Sequence, residues 1–240
     1  MIDKNSPLPI YFQIEEQIKR QIENGEFQTH DALPSEREYA EKFEISRMTV
    51  RQAINNLVND GYLYRQKGRG TFVADKKLEQ QLNGLTSFTE DMKARGLNPS
   101  SKLLSFEIIP ADKKIASELH ISLYAPVYEI KRIRLADDVP MALETVYMSA
   151  NLIKGLTEEI INLSLYQYVE NYVKLKIDYA SQTLESSIAS ELEVTHLAIP
   201  KHSPILFIQR NTFLIDGTPL EYVKSAYRAD RYKFTINISR

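Results

Sequence analysis

The segment Ser46-Arg47-Met48-Thr49-Val50-Arg51-Gln52-Ala53 constrains this chain more than any other. Val50, Ala53, Ile54, Leu57 and Val58 recur at helical spacing and make one apolar face. Ser46 stands where an N-cap belongs, with a hydroxyl that can accept from a free amide of the first turn. Arg47, Thr49, Arg51, Gln52, Asn55 and Asn56 are left for the other side, which is long, polar and basic at its N-terminal end. A helix buried on all sides has no use for such a face. A helix that lies in a DNA groove needs one.

The residues around it supply the frame. Ile10, Ile14, Ile18 and Ile22 recur every four residues, which predicts an amphipathic helix from after Pro9 to near Gly25. A second helix starts at Ser35, where Ser35-Glu36-Arg37-Glu38 has the pattern of a capping box. Tyr39, Ala40 and Phe43 are its inner face, and Glu44-Ile45 makes a short turn into the Ser46 helix, which stops before Gly61. Two short helices joined by a tight turn, the second exposing arginines, make a helix-turn-helix. The β-like runs Tyr62 to Arg65 and Thr71 to Val73 then flank the tip Gln66-Lys67-Gly68-Arg69-Gly70. Alone, that tip reads as a solvated hairpin turn. After three helices it reads as a wing, in which glycines permit close approach to a groove and Arg69 can enter it. No helix follows the glycines, which disfavours a nucleotide-binding loop.

Charge has to be read locally. The 240 residues carry a formal net charge of −2, and residues 1 to 77 hold as many acidic as basic residues. The acids fall mostly on the first two helices, while Arg47, Arg51, Arg65, Lys67 and Arg69 cluster downstream, as a neutral domain with one binding face requires. With no cysteine there are no disulfides or thiolate metal sites. No apolar run suits a membrane span, and residues 1 to 5 lack the apolar core of a signal peptide. A cytoplasmic protein without membrane contact is expected. His30, His120, His196 and His202 show no metal spacing, and no serine sits in a nucleophile elbow. The expectation is therefore no enzyme, no metal and no cofactor.

Three segments follow from these patterns: a DNA-binding domain over residues 1–74, a polar linker over 75–82 containing Asp75-Lys76-Lys77, and a second domain over 83–240. In the second domain helices are expected at Ser87 to Arg95, Asp112 to His120, Leu163 to Tyr172 and Ala189 to Leu197. Strands are expected at Lys102 to Pro110, Pro126 to Ala136, Met141 to Met148, Tyr179 to Ala189, Pro204 to Ile215 and Pro219 to Tyr227. The chain as a whole reads as α+β, with an antiparallel sheet in its second domain. There is a weak internal echo: Ile130-Lys131-Arg132, an acidic turn, Pro140 and Glu144 match Ile208-Gln209-Arg210, Asp216-Gly217, Pro219 and Glu221. Both read as hairpins.

Arg132 and Arg134, two apart on a strand, leave the same face and together suit a phosphate or carboxylate; an exposed cationic face is the plainer alternative. Glu144 returns toward that surface, and Glu221 and Tyr227 are similarly placed on the second hairpin, with a rim ion pair and a core tyrosine as their alternative. Ser87-Phe88-Thr89 and Ser164-Leu165-Tyr166 begin helices, where hydroxyls and free amides serve either as anion donors or as ordinary caps.

Residues 6 to 73 resemble the winged-helix domain of the GntR family of bacterial transcription regulators. The likeness rests on Pro9-Ile10-Tyr11, Leu33-Pro34-Ser35-Glu36-Arg37, Ser46-Arg47-x-Thr49-Val50-Arg51-Gln52-Ala53 and Lys67-Gly68-x-Gly70-Thr71-Phe72-Val73. It implies operator contacts by Arg37, Arg47 and Arg51, with Gly68 or Gly70 in the minor groove. The full DNA-contacting set expected is Ser35, Arg37, Ser46, Arg47, Thr49, Arg51, Gln52, Lys67, Gly68, Arg69 and Gly70. Residues 82 to 240 resemble the ligand-sensing domain of the HutC-type branch, similar in fold to chorismate lyase. That likeness rests on Leu85 to Met92, Arg132-x-Arg134, Pro140-x-x-x-Glu144, Ser164-x-Tyr166 and Asp216-Gly217-x-Pro219-x-Glu221. It is strongest to repressors of N-acetylglucosamine use. It implies a phosphate held by Ser87, Phe88, Thr89, Arg132, Arg134, Ser164 and Tyr166, and a sugar met by Glu144, Glu221 and Tyr227. The partners so implied are a palindromic DNA operator, a second copy of the chain, and N-acetylglucosamine-6-phosphate or glucosamine-6-phosphate. The alternatives are another phosphosugar or small anion on the same frame, or a lyase-like enzyme with a DNA-binding appendage.

Overall fold

A computed structural model describes residues 2–4, 6–75, 77–82, 84–162 and 164–238. Lys76 of the expected linker, Asn83 at its end and Leu163 at an expected helix start lie outside the described residues. The chain divides into two compact units, Met1–Leu78 and Glu79–Arg240.

In the first unit, α1 (Ile10–Glu23), α2 (Glu36–Phe43) and α3 (Arg47–Asn59) precede a hairpin of β1 (Leu63–Gln66) and β2 (Gly70–Val73). Ile14, Ile18, Val50, Ala53, Ile54 and Leu57 are all within 1 % of complete burial and form the core, which Leu63 and Val73 close from the hairpin. The capping box of α2 forms, with Ser35 Oγ accepting from the Glu38 amide and Glu38 accepting from the Ser35 amide. α2 ends on Glu44 in the left-handed region at φ 49°, where glycine would be easier. Lys4 Nζ donates to the Glu44 carbonyl at 3.2 Å and to its carboxylate at 3.4 Å, which holds that turn. The wing pairs Leu63 with Val73 through Gln66 with Gly70, and Gly68 takes φ 76° at its tip.

Leu78–Gln81 is a strand, β3, whose first residue lies at the division between the units; it pairs with β10 (Tyr232–Thr235). Each strand is four residues long, and its partner lies far along the chain.

The second unit is built on a six-stranded antiparallel sheet: β4 (Pro99–Pro110), β5 (Pro126–Ala136), β6 (Val139–Ser149), β9 (Pro219–Arg228), β8 (Pro204–Leu214) and β7 (Ile177–Ile188), in that spatial order. The order repeats. β4-α5-β5-β6 and β7-α8-β8-β9 are the same module used twice and joined at β6–β9, with α5 (Lys113–Glu118) and α8 (Glu191–Leu197) in corresponding places. Asp112 and Ser190 cap these helices. Both pack on one face of the sheet, α5 against Tyr147 and Tyr222 and α8 against Leu143 and Ala226.

The other face is covered by α6 (Glu158–Asn162), α7 (Leu165–Tyr168) and a π-helical turn, Val169–Val173. Ile161, Leu165 and Val169 meet Tyr128, Ile130, Val146, Met148 and Val223 there. Strand alternation then carries Arg132 and Arg134 on from Tyr128 and Ile130, and Glu144 back from Val146, onto this same covered face. α4 (Phe88–Ala94) begins beside them, capped by Ser87.

Candidate functional site

Three backbone devices set the outward face of the first unit. Ser46 caps α3, its Oγ accepting from the Thr49 amide at 3.1 Å and bonding Thr49 Oγ1 at 2.8 Å. The apolar face of α3 is consumed by the core, so Arg47, Arg51 and Gln52 remain exposed and Thr49 half-buried. The wing carries Lys67, Gly68, Arg69 and Gly70 exposed. Asn56 departs from the expectation of an outward position: its Nδ2 donates to Glu15 Oε1 at 2.6 Å, so it belongs to the seam between α3 and α1.

Three arginines of this unit rest on carboxylates. Glu36 accepts from Arg51 at 2.9 Å and from Arg65 at 3.3 Å, and Arg37 pairs with Glu41 at 2.7 Å. All three arginines keep 44–69 % of their side-chain surface. Ser35 and Ser46 each accept one cap hydrogen bond, at the start of α2 and of α3 respectively.

The second unit holds a different kind of site. All ten expected effector residues line one cavity: Ser87, Phe88 and Thr89 from the start of α4, Arg132 and Arg134 from β5, Glu144 from β6, Ser164 and Tyr166 from the start of α7, and Glu221 and Tyr227 from β9. The cavity is small, about 50 Å³, because its polar groups are paired with one another. Arg132 Nε donates to Glu144 Oε1 at 2.6 Å, opposite it in register, and Arg132 Nη1 donates to the Ile161 carbonyl at 2.7 Å. Arg134 lies 3.9 Å from the same carboxylate, donates to Thr89 Oγ1 at 3.0 Å, and places its guanidinium 4.6 Å from the Phe88 ring centre. Arg134 Nε is buried without a hydrogen-bond partner. These arginines are 4 % and 3 % exposed, so the alternative of an exposed cationic face does not hold.

A second cluster sits farther along the same face. Tyr166 donates to Glu221 at 2.8 Å, and Thr212 Oγ1 donates to the same oxygen at 2.9 Å. Tyr166 thus bonds Glu221 while sharing the cavity lining with Arg132 and Arg134. Ser164 caps α7, its Oγ accepting from the Gln167 amide at 3.4 Å. Arg210 completes the cluster, with Nε donating to Gln182 of β7 at 2.9 Å. Sequence reasoning missed it as a site residue, although the internal echo matches Arg210 with Arg132. The two glutamates of that echo do not correspond, since Glu144 lies opposite Arg132 whereas Glu221 lies opposite Thr212. An offset of two residues keeps both on one face.

Electrostatics separates the two clusters. Burial raises the Glu144 carboxyl, but Arg132 and Arg134 outweigh burial and hold it below the ordinary carboxylate value. Burial, aided by the charge of Glu144, pushes Glu221 above it against its hydrogen bond from Tyr166. Burial and the neighbouring charge of Arg132 bring Arg134 down to about 10. Burial also raises Tyr227 to about 12. Three guanidiniums thus share a buried space with one firmly ionised carboxylate and one that resists ionisation. Such a space is short of negative charge, and an anion relieves it.

A winged helix-turn-helix followed by a sensor domain built around a cation-rich cavity defines a class: ligand-responsive transcription regulators. Two family models match the chain, the bacterial regulatory proteins of the gntR family over residues 10–73 and the UTRA domain over residues 94–233. The chain belongs to the GntR family, in the group whose members join that helix-turn-helix to a UTRA domain. It is 50 % identical over 239 residues to the HTH-type transcriptional repressor NagR of Bacillus subtilis, covering 100 % of this chain and 98 % of that one. It is 36 % identical to the mannosyl-D-glycerate transport/metabolism system repressor MngR of Escherichia coli, covering 97 % of each. The crystal structure of PhnF from Mycobacterium smegmatis superposes with a TM-score of 0.69 at 31 % identity, over 94 % of this chain and 99 % of that one.

Proposed function

We propose that this regulator is a cytoplasmic repressor that binds a palindromic operator as a homodimer and is released by a phosphorylated amino sugar, N-acetylglucosamine-6-phosphate or glucosamine-6-phosphate. One observation carries the effector class: Arg132, Arg134 and Arg210 are gathered around one cavity in excess of ionised carboxylate, and Arg134 Nε has no hydrogen-bond partner. A phosphate monoester supplies the missing charge and several acceptors. Glu144, Glu221 and Tyr227 then face the sugar hydroxyls. The relation to a repressor at 50 % identity supports the sign of regulation.

The cavity of about 50 Å³ holds a few water molecules, not a hexose phosphate. Effector entry therefore requires Arg132 to leave the Ile161 carbonyl and the α6–α7 cover to move outward. A ligand that binds only the opened form shifts the equilibrium toward it, and differential affinity of this kind is what an induced regulator needs. The homodimer is supported by β7, a 12-residue strand at the sheet edge that exposes Tyr179, Leu184 and Ile188. A long edge strand leaves a row of backbone donors and acceptors open to a partner strand.

Thermal unfolding of the full chain tests the effector class. N-acetylglucosamine-6-phosphate should raise the midpoint, with a smaller rise from inorganic phosphate and none from N-acetylglucosamine at the same concentration. Arg134→Gln should lose the shift and keep operator binding. Equal stabilisation by the neutral sugar would remove the anion from the account.

A further inference from the structure

One large apolar side chain of α3 is left out of the core. Val50, Ala53, Ile54 and Leu57 are at most 1 % exposed, whereas Met48 is 67 % exposed. Its place on the helix gives this meaning. Met48, Gln52, Asn55 and Asn59 follow at steps of four, three and four residues, so they form a single line down the helix. One flank of the line is closed by α2, through Arg51 on Glu36 at 2.9 Å. The other flank is closed by α1, through Asn56 on Glu15 at 2.6 Å. The line headed by Met48 and Gln52 is therefore the part of α3 that points straight away from the unit. The Ser46–Thr49 hydroxyl pair fixes the first turn, in which Met48 lies.

The major groove offers one apolar group, the C5-methyl of thymine, and the N-terminal end of a recognition helix reaches base edges first. A methionine thioether is apolar, flexible and polarisable, and gains nothing from phosphates or from the polar edges of guanine and cytosine. Gln52 carries an amide, whose donor and acceptor match N7 and N6 of adenine. Four residues of helix rise about 6 Å, which is between one and two base-pair steps of about 3.4 Å.

We propose that Met48 and Gln52 are a base-reading pair: Met48 packs on a thymine methyl in the major groove, and Gln52 bonds an adenine edge one or two base pairs along. The pair makes each half-site demand A·T character at its centre, while the flanking Arg47 and Arg51 take phosphates or guanine. This rests on the DNA-binding reading of the first unit and adds the side chains that discriminate between sequences.

The test begins with duplexes selected from a randomised library by the full-length chain. Each thymine of a half-site is then replaced singly by deoxyuridine, which lacks only the C5-methyl. At one position the wild type should lose about three- to fivefold in affinity, the value of one buried methyl group. Met48→Ala should bind the thymine duplex more weakly by a similar factor and no longer distinguish thymine from uracil. Met48→Leu should keep the preference. Because Met48 is exposed, all three proteins should share one thermal midpoint. At one adenine, 7-deazaadenine, which lacks the N7 acceptor, should be rejected by the wild type and accepted by Gln52→Ala. A wild type indifferent to deoxyuridine at every position, or a Met48→Ala protein that still discriminates, overturns the assignment and leaves Met48 an ordinary surface residue. Failure to select any duplex is a separate outcome, seen at the first step, and removes the DNA-binding reading together with the pair.

Discussion

Each unit of this protein sets two arginines on one glutamate, once in the open and once inside. In the winged helix, Arg51 and Arg65 share Glu36 at 2.9 and 3.3 Å with 53 % and 44 % of their side chains exposed. In the sensor, Arg132 and Arg134 share Glu144 at 2.6 and 3.9 Å with 5 % and 4 % exposed. The motif is the same and the dielectric differs. An exposed pair contributes about 0–1 kcal/mol, so its arginines are free to exchange the carboxylate for a DNA phosphate. Breaking a buried pair leaves an uncompensated charge and costs about 3–5 kcal/mol, so its arginines change partner only for a ligand of matching charge. The surface triad suits a partner present in bulk, and the buried one suits a selective signal.

The comparison is open to direct attack. Glu144→Gln should give the largest effect, a loss of about 3–5 kcal/mol of stability in urea unfolding. Millimolar phosphate should restore part of it by standing in for the carboxylate. Arg51→Ala comes next, with about 1–3 kcal/mol of operator binding lost if it meets a base. A flatter salt dependence without loss of specificity would instead make it a phosphate contact.

Glu221→Gln has a smaller effect with a distinctive pH dependence. The folded carboxyl lies above its ordinary 4.5, chiefly through burial. As pH rises from that value through the folded pKa, the native state keeps a proton that the unfolded chain releases, and stability falls. Glutamine removes that fall, so in thermal unfolding the variant should gain on the wild type as the pH is raised above the ordinary carboxylate value. Glu36→Ala should be the mildest, within about 1 kcal/mol in stability, with operator affinity equal or improved because an anion leaves the DNA-facing side. A Glu36→Ala protein as damaged as Glu144→Gln would erase the distinction between the two triads.

How far the sequence reveals this depends on range. The capping box at Ser35 and the cap at Ser46 are set within three residues, and both were readable. The Arg132/Arg134 pair was readable as a shared face, since strand alternation is local, but its burial was not. Burial comes from Ile161 and the cover of α6 and α7, and α6 is five residues long with no period to detect. The bond between Tyr166 and Glu221 was not legible, because it spans 55 residues and depends on a two-residue offset between hairpins. Arg210 had a signal, the echo of Arg132, that only the repeated β-α-β-β module turns into a position. β3 and β10 pair across most of the second unit, and four-residue strands so far apart in the chain do not identify each other.

The most direct measurement is fluorescence anisotropy of the full-length protein on a selected operator duplex, titrated in parallel with N-acetylglucosamine-6-phosphate and N-acetylglucosamine. Release by the phosphate ester at submillimolar concentration, no release by the neutral sugar at ten times that level, and no release of Arg134→Gln by either is the expected result. Release of equal potency by both sugars, or full release of Arg134→Gln by the ester, would contradict a switch worked by a buried deficit of negative charge.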